Sequence, residues 1–390
     1  MPNTLDYIDW RGDLPFSDYP VNAVDEMIFA FIGKPDFTGI IPKDAGAVTL
    51  AEAVDAFFEK NPNGASLGLL ASQKTVPMLK KLKEAPRYGG LKLSLFARDV
   101  SVGNTKQFSA LTVRVPDGPT YVTFRGTDDS LTGWKENFRI AVSGAVPAQE
   151  DAVCYLHRAA TCFDGPLVVS GHSKGGNLAI YAAAHMPKAI RDRIEKVISY
   201  DGPGFLDDFL ASEGYLDLRE RVLTIVPENS IVGMLLGQAG RIAVVRSETT
   251  GVTGHDGLTW SVGRSGFLPA DDLSEGSLAF GEAVRETLAE MDAGDVEELV
   301  DGLFGVLDAS GAVNVSDFSE NTVRKLIDTA RGLGKEPEVT RFLLKLVGDT
   351  LKNRGEDIVE RVVGTWFKRD KAEAEEPAAL PEKAEPGADR

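Results

Sequence analysis

An α/β fold is predicted for residues 1–266, followed by a helical region over 267–368 and a disordered acidic tail over 369–390, on three observations. β-Branched and aromatic strand candidates alternate with helical stretches as far as Gly266. Beyond it, ELVDGLFGVL, TVRKLIDTA, TRFLLKLVGDTL and DIVERVVGTWF repeat their apolar residues at helical spacing, broken by turn signals such as Asp-Ala-Ser-Gly and without a β run. From Arg369 the chain is mostly Ala, Glu, Pro and Lys with no aromatic residue, so nothing offsets the entropy of ordering it.

The strand candidates, in order, are 108–115 (FSALTVRV), 120–124 (TYVTF), 166–170 (PLVVS), 196–200 (KVISY), 221–226 (RVLTIV) and 241–247 (RIAVVRS). Between the third and fourth, residues 178–195 (LAIYAAAHMPKAIRDRIE) read as one helix, the size of a right-handed crossover between parallel strands. A mainly parallel sheet is therefore expected. The 390 residues are 43% hydrophobic and 26% charged, a globular balance. The 59 acidic residues against 42 basic ones leave a net charge of -17, which argues against DNA, RNA or an anionic membrane as a partner. Cys154 and Cys162 are too few for a disulfide scaffold and match no zinc pattern, and both read as buried thiols of a reducing compartment. The start, MPNTLDYIDWRGDLPF, has acids where a secretory signal has a basic end and an apolar run, and no stretch reaches the roughly 18 apolar residues of a transmembrane helix. The expected location is cytoplasmic.

The third strand candidate runs straight into Gly171-His172-Ser173-Lys174-Gly175 and a small-residue helix, a G-x-S-x-G in the strand–turn–helix context of a nucleophile elbow. On such a turn the serine projects alone above the sheet, and glycines two before and two after it let strand and helix approach closely. The helix N-terminus favours a developing negative charge, and the N–H of Lys174 would supply half of an oxyanion hole. The bland alternative is a Gly-rich helix start capped by Ser173; the strand before it and the Ala-rich helix after it favour the elbow. A phosphate loop is set aside, because Lys174 follows the serine and the G-x-x-x-x-G-K-[ST] spacing is absent. The fold class sharpens to an α/β-hydrolase fold.

Upstream, Tyr121-Val-Thr-Phe-Arg-Gly-Thr127, a polar turn and Trp134 resemble the strand-end oxyanion segment of class-three lipases. That resemblance implies that Thr127 donates to the oxyanion through its backbone and hydroxyl. Together with SGHSKGGNLAIYAAA, the pattern is similar to the lipase-like α/β-hydrolase family called Mbeg-like. LDYIDWRGDLPFSDYPVNAVDEMIFA, SYDGPGF, PENSIVGMLL and GHDGLTWSV extend the resemblance over roughly Met1 to Gly266, and weakly beyond. It implies a serine hydrolase of carboxylic esters, with a lipid-like or other apolar acyl group favoured.

Four histidines permit elimination. His157 falls in the helix before the elbow strand and His185 on the helix after it, while alternation points His172 away from Ser173. His255 remains, on the Gly-rich loop after RIAVVRS and last in the order serine, acid, histidine. Two carboxylates end strands between nucleophile and base: Asp201 before Gly-Pro-Gly, and Glu228 after RVLTIVP. Class-three lipases carry an Asp after the latter strand, where this sequence has Ser230. Asp201 is favoured, because the D-G-P-G turn fixes a short carboxylate at a strand terminus; Glu228 is the alternative, and Asp256, beside His255, the outsider. His255 would take the proton of Ser173, the N–H groups of Thr127 and Lys174 would hold the oxyanion, and water would release the acid, a route needing no metal or organic cofactor.

A second reading is a non-catalytic relative that binds a ligand or partner through the same cleft, supported by the missing acid at position 230. A thioesterase or peptidase using the same triad is a third. Ile231-Val-Gly-Met-Leu-Leu236 reads as the lining or lid of an acyl pocket, against plain core, and the Lys174 side chain as solvated or as favouring an anionic substrate. The expected partner is a small-molecule or lipid-like ester, and the oligomeric state is not legible.

Overall fold

A computed structural model describes residues 1–62, 74–101, 106–126, 140, 146–249, 254–278 and 281–282. The chain divides into two compact units, Met1–Glu336 and Pro337–Arg390, and every described residue belongs to the first. The expected helical region beyond residue 282 and the acidic tail lie outside the described residues.

Eight strands cross one sheet in sequence order. They are β1 (Val48–Thr49), β2 (Lys92–Ser101), β3 (Lys106–Arg114), β4 (Thr120–Phe124), β5 (Leu167–His172), β6 (Ile194–Tyr200), β7 (Val222–Pro227) and β8 (Arg241–Val245). β1 to β4 pair antiparallel and β4 to β8 pair parallel. Among the described residues the helices of eight or more residues are α1 (Thr4–Arg11), α2 (Ala23–Ile32), α3 (Leu50–Lys60), α4 (Thr75–Glu84), α5 (Pro147–Cys162) and α6 (Lys174–Ala184). Three of them start on capping boxes written plainly in the sequence: Asn3 with Asp6, Asn22 with Asp25, and Thr49 with Glu52.

Strand order never reverses, and right-handed crossovers between successive parallel strands then fall on one side of the sheet. That side carries α5 and α6, packed on Val122, Phe124, Leu167, Val169 and Val197. The opposite side needs cover from elsewhere in the chain, and α1 to α4 supply it. Tyr7, Met27, Phe29, Phe31, Phe57 and Leu82 pack there on Tyr121, Val168, Ile198 and Tyr200. The two sets alternate residue by residue along β4, β5 and β6, as the pleat requires. α2 is sandwiched so fully that nine of its ten residues are buried, Asp25 and Glu26 among them. Asp25 is held by Arg87 in an ion pair with both side chains at 0% exposure, and it also accepts from the hydroxyls of Tyr7 and Tyr88.

Three readings are corrected. The expected helix over 178–195 is two: α6 starts earlier and ends at Ala184, and Lys188–Arg191 forms a separate turn. Pro187 lacks the N–H that a continuous helix needs and disfavours helical geometry at Met186. Cys154 and Cys162 are exposed, because α5 buries Ala152, Tyr155, Leu156, Ala159 and Ala160, and both thiols fall off that stripe. β2 was not anticipated: its pairing with β3 shifts between Ser94 and Ala97, where Leu95 has φ 55°, so a bulge interrupts the alternation that reveals a strand. Among the described residues no helix is long and apolar enough to cross a membrane.

Candidate active site

The end of β5 turns into α6 at Ser173, with φ 60° and ψ -133°. An L residue holds that conformation only where its surroundings enforce it. Here the backbones do so. A Cβ added at Gly171 would stand 2.2 Å from the Gly175 carbonyl, and one at Gly175 would stand 2.1 Å from the Phe124 oxygen at the end of β4. Strand and helix thus meet at a distance that only glycine allows. The Ser173 N–H donates to Tyr200 O on β6 (2.9 Å), and Gly176 N–H donates to Ser173 O (2.8 Å). Ser173 is 8% exposed.

Asp201 follows β6 directly, fully buried and at φ 50°. Its Oδ2 lies 2.6 Å from His255 Nδ1, while its Oδ1 accepts from Ser230 Oγ (2.5 Å) and from the Gly233 N–H (3.1 Å). The turn that carries it, Asp201-Gly202-Pro203-Gly204, is tied to α6 by Asn177, whose Nδ2 donates to the oxygens of Pro203 (3.3 Å) and Gly204 (2.9 Å). Asn177 Oδ1 accepts in turn from Gln149 Nε2 of α5 (2.8 Å). Because a carboxylate accepts, the His255 ring carries a proton on Nδ1, and in the neutral ring that leaves the lone pair on Nε2.

Gly254, His255 and Asp256 are each pinned by a hydrogen bond. Trp260 Nε1 donates to Gly254 O (2.9 Å), the His255 carbonyl lies 2.7 Å from His172 Nε2, and Asp256 Oδ1 accepts from the Leu258 N–H (3.1 Å). Asp256 is a cap for the short helix Gly257–Thr259. The His172 ring lies 4.6 Å from that of His255 and 4.8 Å from Phe31 of α2, centroid to centroid. Its Nδ1 is 3.4 Å from the Nζ of Lys34, which is 5% exposed. Burial first, and then the charges of Lys34 and His255, hold the His172 imidazole well below its usual range. Burial pushes the Lys34 ammonium down to about 8, with Arg125 acting in the same direction and Asp256 opposing.

Of the residues singled out from sequence, the structure brings Asp201 and His172 to His255, and the backbone of Ser173 is bonded to Tyr200, the residue before Asp201. Glu228 is turned elsewhere: its Oε1 accepts from the Ser247 N–H (3.4 Å) and its carbonyl from the Ser274 N–H (2.7 Å), bracing the chain beside β8. The Lys174 side chain is neither solvated nor offered to a ligand; it is fully buried, and its Nζ donates to Gln107 O (2.6 Å). It is drawn inward by a strand-end carbonyl on β3. Thr127 lies outside the described residues. The preceding Gly126 brings the end of β4 against the serine, since a Cβ there would stand 2.9 Å from Ser173 Cβ. Within 231–236, the turn Val232–Met234 supplies the Gly233 N–H to Asp201. Sequence reasoning passed over Lys34, Gln149 and Asn177. The one legible signal was an asparagine in the otherwise small and apolar GGNLAIYAAA.

Residues 82–305 match the family described as Mbeg1-like. The chain matches no curated protein. Among solved structures it is similar to M37 lipase at 14% identity and a TM-score of 0.34, over 54% of this chain and 69% of that one. It is similar to a mutant form of MDLA from Penicillium cyclopium at 14% identity and a TM-score of 0.36, over 66% and 91%. A third is the native propeptide complex of Rhizomucor miehei lipase, at 14% identity and a TM-score of 0.35, over 76% and 92%.

Proposed function

The chain belongs to the Mbeg1-like family, and within that family we propose that it is a serine hydrolase of carboxylic esters. The observation that carries this reading is the Asp201–His255 pair at 2.6 Å, held beside a strand-to-helix turn on which Ser173 has φ 60°. Ser173 is the nucleophile on its elbow, His255 the base and Asp201 the acid. His255 Nε2 takes the hydroxyl proton as Ser173 Oγ attacks the ester carbonyl, and the alcohol leaves with that proton. Water, deprotonated by the same nitrogen, then cleaves the acyl-enzyme. The tetrahedral oxyanion is received by the N–H of Lys174 at the start of α6, where the helix dipole favours negative charge, together with Thr127. The substrate is an ester with an apolar or lipid-like acyl group.

Ser230 gives the displaced acid a rationale. It stands after β7, and its hydroxyl donates to the carboxylate that stands after β6. The acid therefore approaches His255 from the neighbouring strand, with two donors on its far oxygen to orient it. Labelling the purified protein with a fluorophosphonate probe tests the reading. Labelling of Ser173 that vanishes in Ser173→Ala and in His255→Ala is the expected result. A folded protein that does not label, or that labels equally in the Ser173→Ala variant, refutes it.

A further inference from the structure

We propose that Lys34 and His172 are positioning residues for this reaction, a hydrogen-bonded relay that runs from the end of α2 to the backbone carbonyl of His255 and holds the base in place. The inference rests on the hydrolase reading and extends it to two residues that the serine, base and acid do not require.

The bonds dictate one state of the His172 ring. An ammonium only donates, so the Nδ1 facing Lys34 Nζ carries no proton. A carbonyl only accepts, so the Nε2 that lies 2.7 Å from His255 O carries one. His172 is therefore a neutral Nε2–H imidazole, clamped between Phe31 and the His255 ring. Lys34 is anchored in turn: its N–H donates to Phe31 O at the end of α2 (3.1 Å), and its Nζ lies 4.6 Å from the Phe31 ring centroid. Burying an ammonium costs free energy unless it is paired and hydrogen-bonded. The hydrogen bond its Nζ makes among the described residues is to a histidine, not to a carboxylate.

The relay serves catalysis in two ways. It fixes the carbonyl of the residue whose ring must reach Ser173, so the imidazole is set from its backbone as well as from Asp201. It also keeps His172 uncharged. When His255 accepts the serine proton it becomes an imidazolium, and a second protonated ring at 4.6 Å would oppose that step by like charge. Among the described residues, the ionisable groups that act on the pair are His255 on the His172 side, and Asp256 and Arg125 on the Lys34 side. Burial depresses both members, which is consistent with a ring that stays neutral through the working range.

The test combines histidine-ring NMR of the full-length 15N-labelled protein with the rate of fluorophosphonate labelling. In the unsubstituted protein the His172 ring, assigned by its loss in His172→Gln, is expected as the neutral Nε2–H form from about pH 5 to 8. In Lys34→Met the ring loses the donor that fixes its tautomer, so an Nδ1–H population emerges, and labelling slows on the order of tenfold. Lys34→Arg keeps both the signature and the rate. His172→Gln, whose amide still donates to the His255 carbonyl, labels faster than His172→Phe, and this comparison decides if Lys34→Met fails to fold by circular dichroism. A His172 ring that titrates freely in the unsubstituted protein, an Nδ1–H form, or an unchanged Lys34→Met overturns the proposal. Absence of labelling in the unsubstituted protein overturns the hydrolase reading, and with it the catalytic role of the relay. That failure is distinguishable from the relay's own, because the ring signals need no turnover.

Discussion

At the scale of single residues, the question is which groups act on the serine and which only hold the chain. Asp201 is buried, oriented by Ser230 and Gly233, and bonded to His255, whereas Glu228 is bonded to Ser247. Asp201→Asn is expected to lower the labelling rate by about 10^3- to 10^4-fold, because an amide facing Nδ1 leaves the ring in the wrong tautomer. Glu228→Gln should change it less than about threefold, since the amide oxygen can still accept from the Ser247 N–H. Equal effects of the two would remove Asp201 as the acid. Ser230→Ala is expected to fall between them, because the carboxylate keeps the Gly233 donor and loses the hydroxyl. The pH dependence of stability belongs to this scale too. The pKa of His172 in the fold lies well below the ordinary histidine value of about 6.5, so unfolded chains bind more protons than folded ones as pH falls through that value. Stability attributable to His172 is thus present above about pH 6.5 and is lost as pH falls toward the lower folded value. Urea midpoints measured from pH 5 to 8 should show a decline toward acid that is shallower in His172→Gln.

At the scale of elements, the approach of α6 to β4 and β5 sets the geometry of the turn. A methyl group at Gly175 has no room, since the Phe124 oxygen would be 2.1 Å away and backbone cannot step aside as a flexible side chain can. Gly175→Ala is expected to cost about 3 kcal/mol or more in chemical denaturation, at the upper end for overpacking. A loss under about 1 kcal/mol would mean that strand and helix sit further apart than described. The second device is the amide chain from Gln149 through Asn177 to the carbonyls of Pro203 and Gly204. It joins α5 and α6 to the turn that presents Asp201. Asn177→Leu leaves the Gln149 amide and two carbonyls without this partner and should cost about 1–3 kcal/mol. Its labelling rate should fall as well, because Asp201 loses its brace.

At the scale of the whole molecule, sequential strand order puts crossover helices on one side and leaves the N-terminal helices to close the other. That closing layer is keyed by one polar cluster. Arg87 donates to Asp25 through Nε and Nη2, to the oxygens of Leu14, Tyr19 and Pro20, and lies 3.9 Å from the Phe16 ring centroid. Asp25→Ala would leave a buried guanidinium without its charge partner and is expected to destabilise by about 3–5 kcal/mol in urea unfolding. The same layer delivers Lys34 and Phe31 to His172, so a loosened α2 should also alter the His172 ring signals before the protein unfolds globally.

Sequence reading found the run of β3 to β8 and the glycine-flanked turn at Ser173, because alternation and glycine spacing are carried by consecutive residues; the capping boxes at Asn3, Asn22 and Thr49 are equally local and were passed over. It misjudged the helix after that turn, where Pro187 outweighs a helical composition, and the cysteines, whose exposure depends on which stripe of α5 faces the sheet. The tertiary fold brings His255 to Asp201, 54 residues away in the chain, and Ser230 to its support from the neighbouring strand. It alone turned the Lys174 side chain inward and brought Lys34 to His172 across 138 residues. Those choices follow from which strand ends and helix ends the sheet sets side by side, and no local stretch of sequence encodes that adjacency.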